Sequence, residues 1–292
     1  MIVTPMSMWR QTRKNDMKAL STESSNASVE FREVAYHVPG RLRDAEQDTR
    51  ALVCDISLRI DKGETIVLLG RSGSGKTTLL RLINRLLVPS AGEVLVNGRA
   101  TDSWDIFALR RSIGYVIQEA GLFPHFTVAE NIALVPSLEK WDATRIASRV
   151  RELLELVGLE AGNFASRYPR QLSGGQRQRV GVARALAANP HILLMDEPFG
   201  ALDPVTRADL QREFVALAKR MGKTIVFVTH DLREALLLAS RIVLLQAGKI
   251  VAHDTPQNFL QLPHAEVRAF VSSLHVGTLD APVLNVAAGD PA

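Results

Sequence analysis

The chain has 292 residues, 46% of them hydrophobic and 23% charged, with a formal net charge of +4. That length suits one large α/β domain or two small ones, and so mild a charge reads as a solvated surface rather than a nucleic-acid or lipid footprint. The single cysteine, Cys54, excludes an internal disulfide and a cysteine-pair metal site, fits a reducing compartment, and is expected in the core.

Residues 1–28, rich in Ser, Asn, Thr and Met, read as a poorly ordered leader, with Met6, Met8 or Met17 as alternative starts. A signal-peptide core is interrupted early by Trp9-Arg10-Gln11-Thr12-Arg13-Lys14. The most apolar stretch, 235–247, is broken by Ser240 and Arg241, so no segment is expected to span a bilayer.

From Val29 the pattern turns to strands. Val29 to Phe31 and Val34, Tyr36 and Val38 alternate apolar with polar, 41–50 reads as a hairpin loop, and Leu52 to Leu58 is a second strand. After the turn Asp61-Lys62-Gly63, the run Thr65 to Leu69 reads as a buried strand. It leads into Gly70-Arg71-Ser72-Gly73-Ser74-Gly75-Lys76-Thr77, which fits the phosphate-binding P-loop pattern. Glycines let backbone curl around phosphate oxygens, and the following helix turns free N–H groups toward an anion. Lys76 is placed for the β- and γ-phosphates and the Thr77 hydroxyl for Mg²⁺. Leu79, Leu80, Ile83, Leu86 and Leu87 predict one face of that helix, stopped by Pro89.

A strand at Glu93 to Val96 with a tight turn at Asn97-Gly98 comes next, then a buried strand at Ile113 to Gln118. Between Gln118 and Leu172 the chain reads as helical; Ile146, Val150, Leu153, Leu154 and Val157 share a face that Gly158 caps. Leu172-Ser173-Gly174-Gly175-Gln176 opens a helix ended by Asn189-Pro190 and is a second anion cradle by the same physics. It serves either to cap its own helix or to hold a nucleotide bound to another copy of the chain.

Apolar strands return at Ile192 to Met195, Thr224 to Val228 and Ile242 to Leu245, separated by helical patterns; this indicates a parallel sheet covered on both faces. The first delivers Asp196-Glu197 to a sheet edge, where Asp196 suits Mg²⁺ and Glu197 suits a general base for an attacking water. The second ends in Thr229-His230-Asp231, with His230 free to bond a phosphate and Asp231 and Glu234 forming a helix-capping pattern. Two short helices follow Gly248-Lys249-Ile250, and residues from His275 on read as a flexible tail.

With these motifs in order, the chain resembles the ATP-binding-cassette (ABC) ATPases over Val29 to Leu260. The resemblance implies an α/β P-loop NTPase fold with a mainly parallel core sheet, an antiparallel β subdomain and a helical subdomain at 119–172. It implies a domain over 29–260 followed by a short helix and tail at 261–292. ATP and Mg²⁺ would be held by Gly70 to Thr77 and Thr78, with Mg²⁺ on Thr77, Asp196 and the Q-loop residue Gln118. Glu197, His230 and Gln118 would act at the γ-phosphate. Ser173, Gly174, Gly175 and Gln176, with Asp203 of the D-loop Ala201-Leu202-Asp203, would complete the site of a second copy in a head-to-tail homodimer. The adenine-stacking aromatic of the family is expected four residues after Val34, where Val38 stands; Tyr36 on the same strand face is the substitute.

Leu79 to Leu86, Tyr115 to Thr127, Asn131 to Pro136 and Trp141 are similar to ATPases of bacterial osmoprotectant importers, which carry glycine betaine, choline or related quaternary amines. The stretch after Leu260 is too short for the pair of CBS modules that many of them carry. This resemblance implies permease subunits docked on the helical subdomain, a substrate-binding protein, a peripheral place on the cytoplasmic face of the membrane, and no nucleic acid. Phe123 and Phe126 are read as either permease anchors or core rings. Another importer, a phospholipid-trafficking ATPase and a soluble ABC ATPase acting on DNA or ribosomes stay open as alternatives.

Overall fold

The computed structural model describes residues 26–38, 51–118, 120–200 and 202–276. The leader expected over 1–28 (except 26–28), the loop 41–50, Glu119, Ala201 and the tail from residue 277 lie outside the described residues.

Two sheets organise the chain. The smaller has the order β2-β1-β4-β5 and is antiparallel throughout. It is built from β1 (Ala27–His37), β2 (Ala51–Asp61), β4 (Ala91–Val96) and β5 (Arg99–Ala100). The larger has the order β10-β9-β3-β8-β7-β6. In it β3 (Thr65–Leu69), β6 (Ile113–Val116), β7 (Ile192–Asp196), β8 (Thr224–Thr229) and β9 (Arg241–Gln246) run parallel, and β10 (Lys249–Asp254) is an antiparallel edge. The helices are α1 (Lys76–Ile83), α2 (Ile106–Ser112), α3 (Val128–Leu138), α4 (Ala143–Leu156), α5 (Ala161–Phe164), α6 (Gly174–Leu186), α7 (Pro204–Met221), α8 (Leu232–Leu238), α9 (Pro256–Phe259) and α10 (Ala265–Val276).

The apolar runs of the central strands follow from two cores, one on each face of the large sheet. Ile66 and Leu68, Leu194, Val226 and Val228 point into a core shared with α1 and the small sheet. Val67 and Leu69, Leu193, Met195, Ile225 and Phe227 point the other way, into a core shared with α3, α4, α6 and α7. Each such buried side chain contributes roughly 1.5–3 kcal/mol, so strands with two apolar faces are placed in the middle of the sheet. The α/β fold with a parallel core, an antiparallel sheet and a helical region is the one expected.

Local departures have physical causes. β1 is one continuous strand whose pairing with β2 shifts register between Phe31 and Val34. The P-loop helix ends at Ile83, well before Pro89: Arg85 has φ +52°, and the N–H groups of Leu86 and Leu87 both donate to the Arg81 carbonyl. Leu86, expected on the buried face, is 48% exposed. Cys54, expected in the core, is half-buried.

The parallel strands fix where chemistry gathers. Leu69 pairs with Thr229 and Asp196 with Val228, so the carboxyl ends of β3, β8 and β7 lie side by side. At such an edge ligands of open α/β sheets collect.

Candidate functional site

The loop from β3 to α1 is shaped by glycine. A Cβ on Gly70 would stand 2.5 Å from the Leu245 carbonyl oxygen and 2.6 Å from Ser74 Oγ. Gly75 has φ +103° and its Cβ would stand 2.8 Å from the Leu52 carbonyl oxygen. Neither position admits a side chain. Gly75 offers α1 no side-chain cap, and the first turn carries no acid, so its N–H groups are left for an anion. Lys76 is only 5% exposed, and its Nζ donates to the carbonyls of Gly70 (2.7 Å) and Arg71 (2.9 Å). Burial lowers the Lys76 pKa, while the charges of Glu197 and Asp196 act to raise it. Among the described residues the buried Ser74 hydroxyl has no hydrogen-bond partner. An uncapped helix, a buried ammonium and an orphaned hydroxyl make a cradle that fits a polyphosphate.

Asp196 ends β7 and is buried. Its Oδ1 accepts from Thr77 Oγ1 at 2.9 Å and its Oδ2 from the Tyr115 hydroxyl at 3.4 Å. Burial raises its pKa first; the Thr77 bond opposes this, Glu197 adds to it, and Arg81 opposes it. The Tyr115 hydroxyl is itself pushed up to about 12, by burial and then by the Asp196 charge.

Glu197 follows with φ +44°, a conformation that costs of order 1–3 kcal/mol for a residue with a Cβ. Its N–H is anchored to the Val228 carbonyl on β8 at 3.1 Å. The turn aims the carboxylate so that Oε2 lies 3.1 Å from His230 Nδ1. A cavity of about 700 Å³ lies over 71–78 and is lined also by Gln118, Glu197 and His230, and by Leu52, Ala269, Phe270 and Ser273. That volume is within the usual range for small-molecule sites. The structure thus joins Arg71, Ser72, Gly73, Ser74, Gly75, Lys76, Thr77 and Thr78 with Gln118, Glu197 and His230. Asp196 stands behind Thr77.

Ser173, Gly174, Gly175, Gln176 and Asp203 do not line this cavity. The Ser173 hydroxyl accepts from the Gln176 N–H (3.2 Å), and the Gln176 side chain accepts from the Ser173 N–H (2.9 Å), a complete capping box. Asp203 caps α7 by accepting from the Thr206 N–H at 3.0 Å, and these bonds hold its carboxyl below the usual range. A Cβ on Gly175 would lie 2.6 Å from Thr206 Cγ2, so the two elements pack directly together. They form a second cluster, separate from the residues that line the cavity.

Two expectations are corrected. Tyr36 packs against the core beneath the small sheet and is not among the cavity residues; Val38, 40% exposed, is not either. Glu234 does not complete a capping box on α8. It is buried, accepts from the Thr229 hydroxyl and from Gln211 Nε2 (2.8 Å), and burial raises its pKa. Thr229 Oγ1 in turn accepts from the Asp231 N–H at 3.0 Å, which leaves Asp231 alone to cap α8 through the Arg233 N–H. Glu234 therefore braces the turn that carries His230.

The loop after Gln118 presents aromatic rings. Phe123 is 42% exposed, and Phe123, His125 and Phe126 stack with centroids 4.8–6.1 Å apart. Beneath them the fully buried Asn131 accepts from the Phe123 N–H and donates to the carbonyls of Phe123, Phe126 and Thr127. A groove lined by Tyr115, Ile117, Phe123, Leu134 and Arg184 adjoins this cluster.

Several functional neighbours carry no motif. Arg81 and Tyr115 around Asp196 and Asn131 under the loop lie in stretches that resemble importer ATPases but carry no motif for these contacts, and Glu266, bonded to Arg71, and Phe270 at the cavity carry none at all. The stripe Val267, Phe270, Val271 and Leu274 is the one local cue at α10, and it reads as a core face.

Comparison with known proteins bears on this geometry. A model of the ABC transporter family matches residues 53–200. The carnitine transport ATP-binding protein OpuCA of Listeria monocytogenes is 54% identical over 211 residues, 72% of this chain and 53% of its own length. The glycine betaine uptake system ATP-binding protein YehX of Escherichia coli is 52% identical over 226 residues, 77% of this chain and 73% of its own. This chain thus spans about half the length of OpuCA. Among solved structures, the dimeric post-hydrolysis state of the ATP-binding cassette MJ0796 with ADP and Pi is similar, with a TM-score of 0.69 and 35% identity. The match covers 78% of this chain and 98% of that one.

Proposed function

The chain belongs to the ABC transporter family, and on that premise we propose that it is the ATP-binding and ATP-hydrolysing subunit of an osmoprotectant importer. The observation that carries the proposal is the Glu197–His230 pair, 3.1 Å apart, facing a P-loop cavity with a buried lysine. The ATPase domain is assigned to 29–260, with its helical subdomain at 119–172.

In this reading the N–H groups of 71–78 and Lys76 hold the ATP phosphates. Thr77 and Asp196, already bonded at 2.9 Å, would hold Mg²⁺ together with phosphate oxygens, and Gln118 lines the same space. Mg²⁺ takes one or two carboxylates and completes its shell with phosphates and water, which the Thr77–Asp196 pair would provide for. Bound there, Mg²⁺ would offset the negative charge of the phosphates. Glu197 accepts a proton from a water whose oxygen bonds to the γ-phosphorus as the bond to the bridging oxygen breaks, giving ADP and Pi. His230, oriented by Glu197, hydrogen-bonds the γ-phosphate.

Ser173 to Gln176 and Asp203 are assigned to the nucleotide of a second copy in a head-to-tail homodimer. Support comes from their position outside the chain's own cavity and from the dimeric cassette to which the chain is similar. The exposed Phe123 ring and its adjoining groove are assigned to a membrane permease, which would hold the subunit at the cytoplasmic face; aromatic rings of this kind anchor partner surfaces. No described helix is long and apolar enough to cross a membrane. A substrate-binding protein completes the complex.

The cargo assignment to glycine betaine, choline, carnitine or related quaternary amines rests on the names of relatives at 52–55% identity. Its test is the ATPase rate of the transporter reconstituted with its permease and binding protein. Quaternary amines are expected to stimulate turnover. Stimulation by an unrelated amino acid alone would contradict the cargo assignment and leave the ATPase assignment standing.

A further inference from the structure

The cavity over the P-loop has a wall that phosphate chemistry does not use. Leu52, Ala269, Phe270 and Ser273 line it, and three of the four come from α10. Phe270 is the only aromatic carbocycle among the described residues that line the cavity. The other ring, the His230 imidazole, is committed to Glu197.

The helix is held in this position from two sides. Val267, which is fully buried, with Phe270, Val271 and Leu274 forms an i, i+3, i+4, i+7 stripe packed into the main core. At its first turn Glu266, whose side chain is 11% exposed, accepts from Arg71 Nε of the P-loop at 2.6 Å. Gln246 Nε2 approaches the other Glu266 oxygen at 3.4 Å. One flank of the P-loop is thereby tied to α10. Ser273 Oγ donates to the Phe270 carbonyl at 2.6 Å, a bond within the helix.

We propose that Phe270 supplies the stacking face for the nucleotide base, so that α10 forms part of the nucleotide site. This rests on the reading of the cavity as an ATP site. With phosphates on 71–78, the base must extend along the cavity to a wall that shields its π face from water. The wall that offers an apolar aromatic face is the one built by Phe270 and Leu52, and neither Tyr36 nor Val38 is among the lining residues. Every base presents a π face, so stacking adds affinity without selecting strongly among bases. The Arg71–Glu266 pair positions the helix and does not itself contact the base.

The test compares two probes on the full chain, ADP and inorganic tripolyphosphate, by equilibrium binding. Phe270→Ala is expected to weaken ADP binding by about fivefold or more, the range for loss of one base–aromatic stack, and to leave tripolyphosphate binding unchanged. Phe270→Trp is expected to restore ADP affinity and to show fluorescence quenching with ADP but not with tripolyphosphate. Phe270→Leu keeps apolar volume in the core and is expected to stay weak for ADP if the ring face is what matters. Unchanged or tighter ADP binding by folded Phe270→Ala or Phe270→Leu would overturn the proposal. If the alanine variant does not fold, the tryptophan variant decides: ADP bound without any fluorescence change overturns it. Wild-type protein that binds neither probe would remove the ATP reading itself; wild-type protein that binds both equally tightly would remove only the base contact.

Discussion

Glu197→Gln is expected to keep MgATP bound and to lower turnover by about 10²-fold or more, the usual worth of a positioned general base. The substitution preserves size and the left-handed backbone turn at φ +44° but removes a basic oxygen. The anchor of that turn, the residue 197 N–H to the Val228 carbonyl, does not depend on the side chain. Binding should survive because the phosphate cradle is built by 71–78 and Thr77–Asp196. The measurement is steady-state ATP hydrolysis by the chain reconstituted with the proposed permease, alongside equilibrium nucleotide binding. Turnover equal to wild type would refute the assignment of Glu197 and shift the search to another proton acceptor.

Lys76→Ala is expected to act on binding itself. Its ammonium is buried, and it already donates to two loop carbonyls at 2.7 and 2.9 Å. Charge-assisted bonds to phosphate are worth about twice neutral ones, and losing them should weaken ATP binding by about 100-fold. Burial pushes the lysine pKa down, which offsets part of what its two carbonyl bonds contribute to the fold. The alanine variant should therefore stay folded, with a modest loss of thermal stability. Isothermal titration and thermal unfolding on the same preparation check both halves. Nucleotide affinity within threefold of wild type would place the phosphates elsewhere.

Much of the site is legible in sequence because its parts are local. A strand, a glycine-rich turn and a helix start are contiguous at 65–83, and two acids at the end of the apolar run 192–195 sit where a buried strand must deliver them. The parallel sheet is readable for the same reason: β3, β7 and β8 are apolar on both faces, and burial on both faces needs cover from helices on each side.

What the sequence hides is tertiary. Glu234 has the spacing of a capping box, yet burial near Thr229 and Gln211 offers stronger partners than the helix end. Tyr36 lies on the expected strand, opposite Val53 of β2, where it is half-buried against the core and does not line the cavity. Phe270 is separated from the P-loop by nearly the whole domain, and its spacing speaks only of a helix face. Leu86 and Leu87 keep helical spacing after the helix has ended, because periodicity does not register the left-handed turn at Arg85. The Phe123 ring could be assigned to core or surface only by its exposure, which the buried amide of Asn131 enforces by fixing the loop.

The central claim is that ATP joins two copies of this chain, the P-loop of one facing Ser173 to Gln176 of the other. The most direct measurement is light scattering after gel filtration of Glu197→Gln in MgATP, compared with the same protein carrying Ser173→Arg as well. Glu197→Gln should elute at twice the 32.1 kDa chain mass with ATP and as a monomer without it. The added Ser173→Arg should leave a folded monomer that still binds ATP. A Ser173→Arg protein that dimerises normally, or one that is folded but has lost ATP binding as a monomer, would contradict the account.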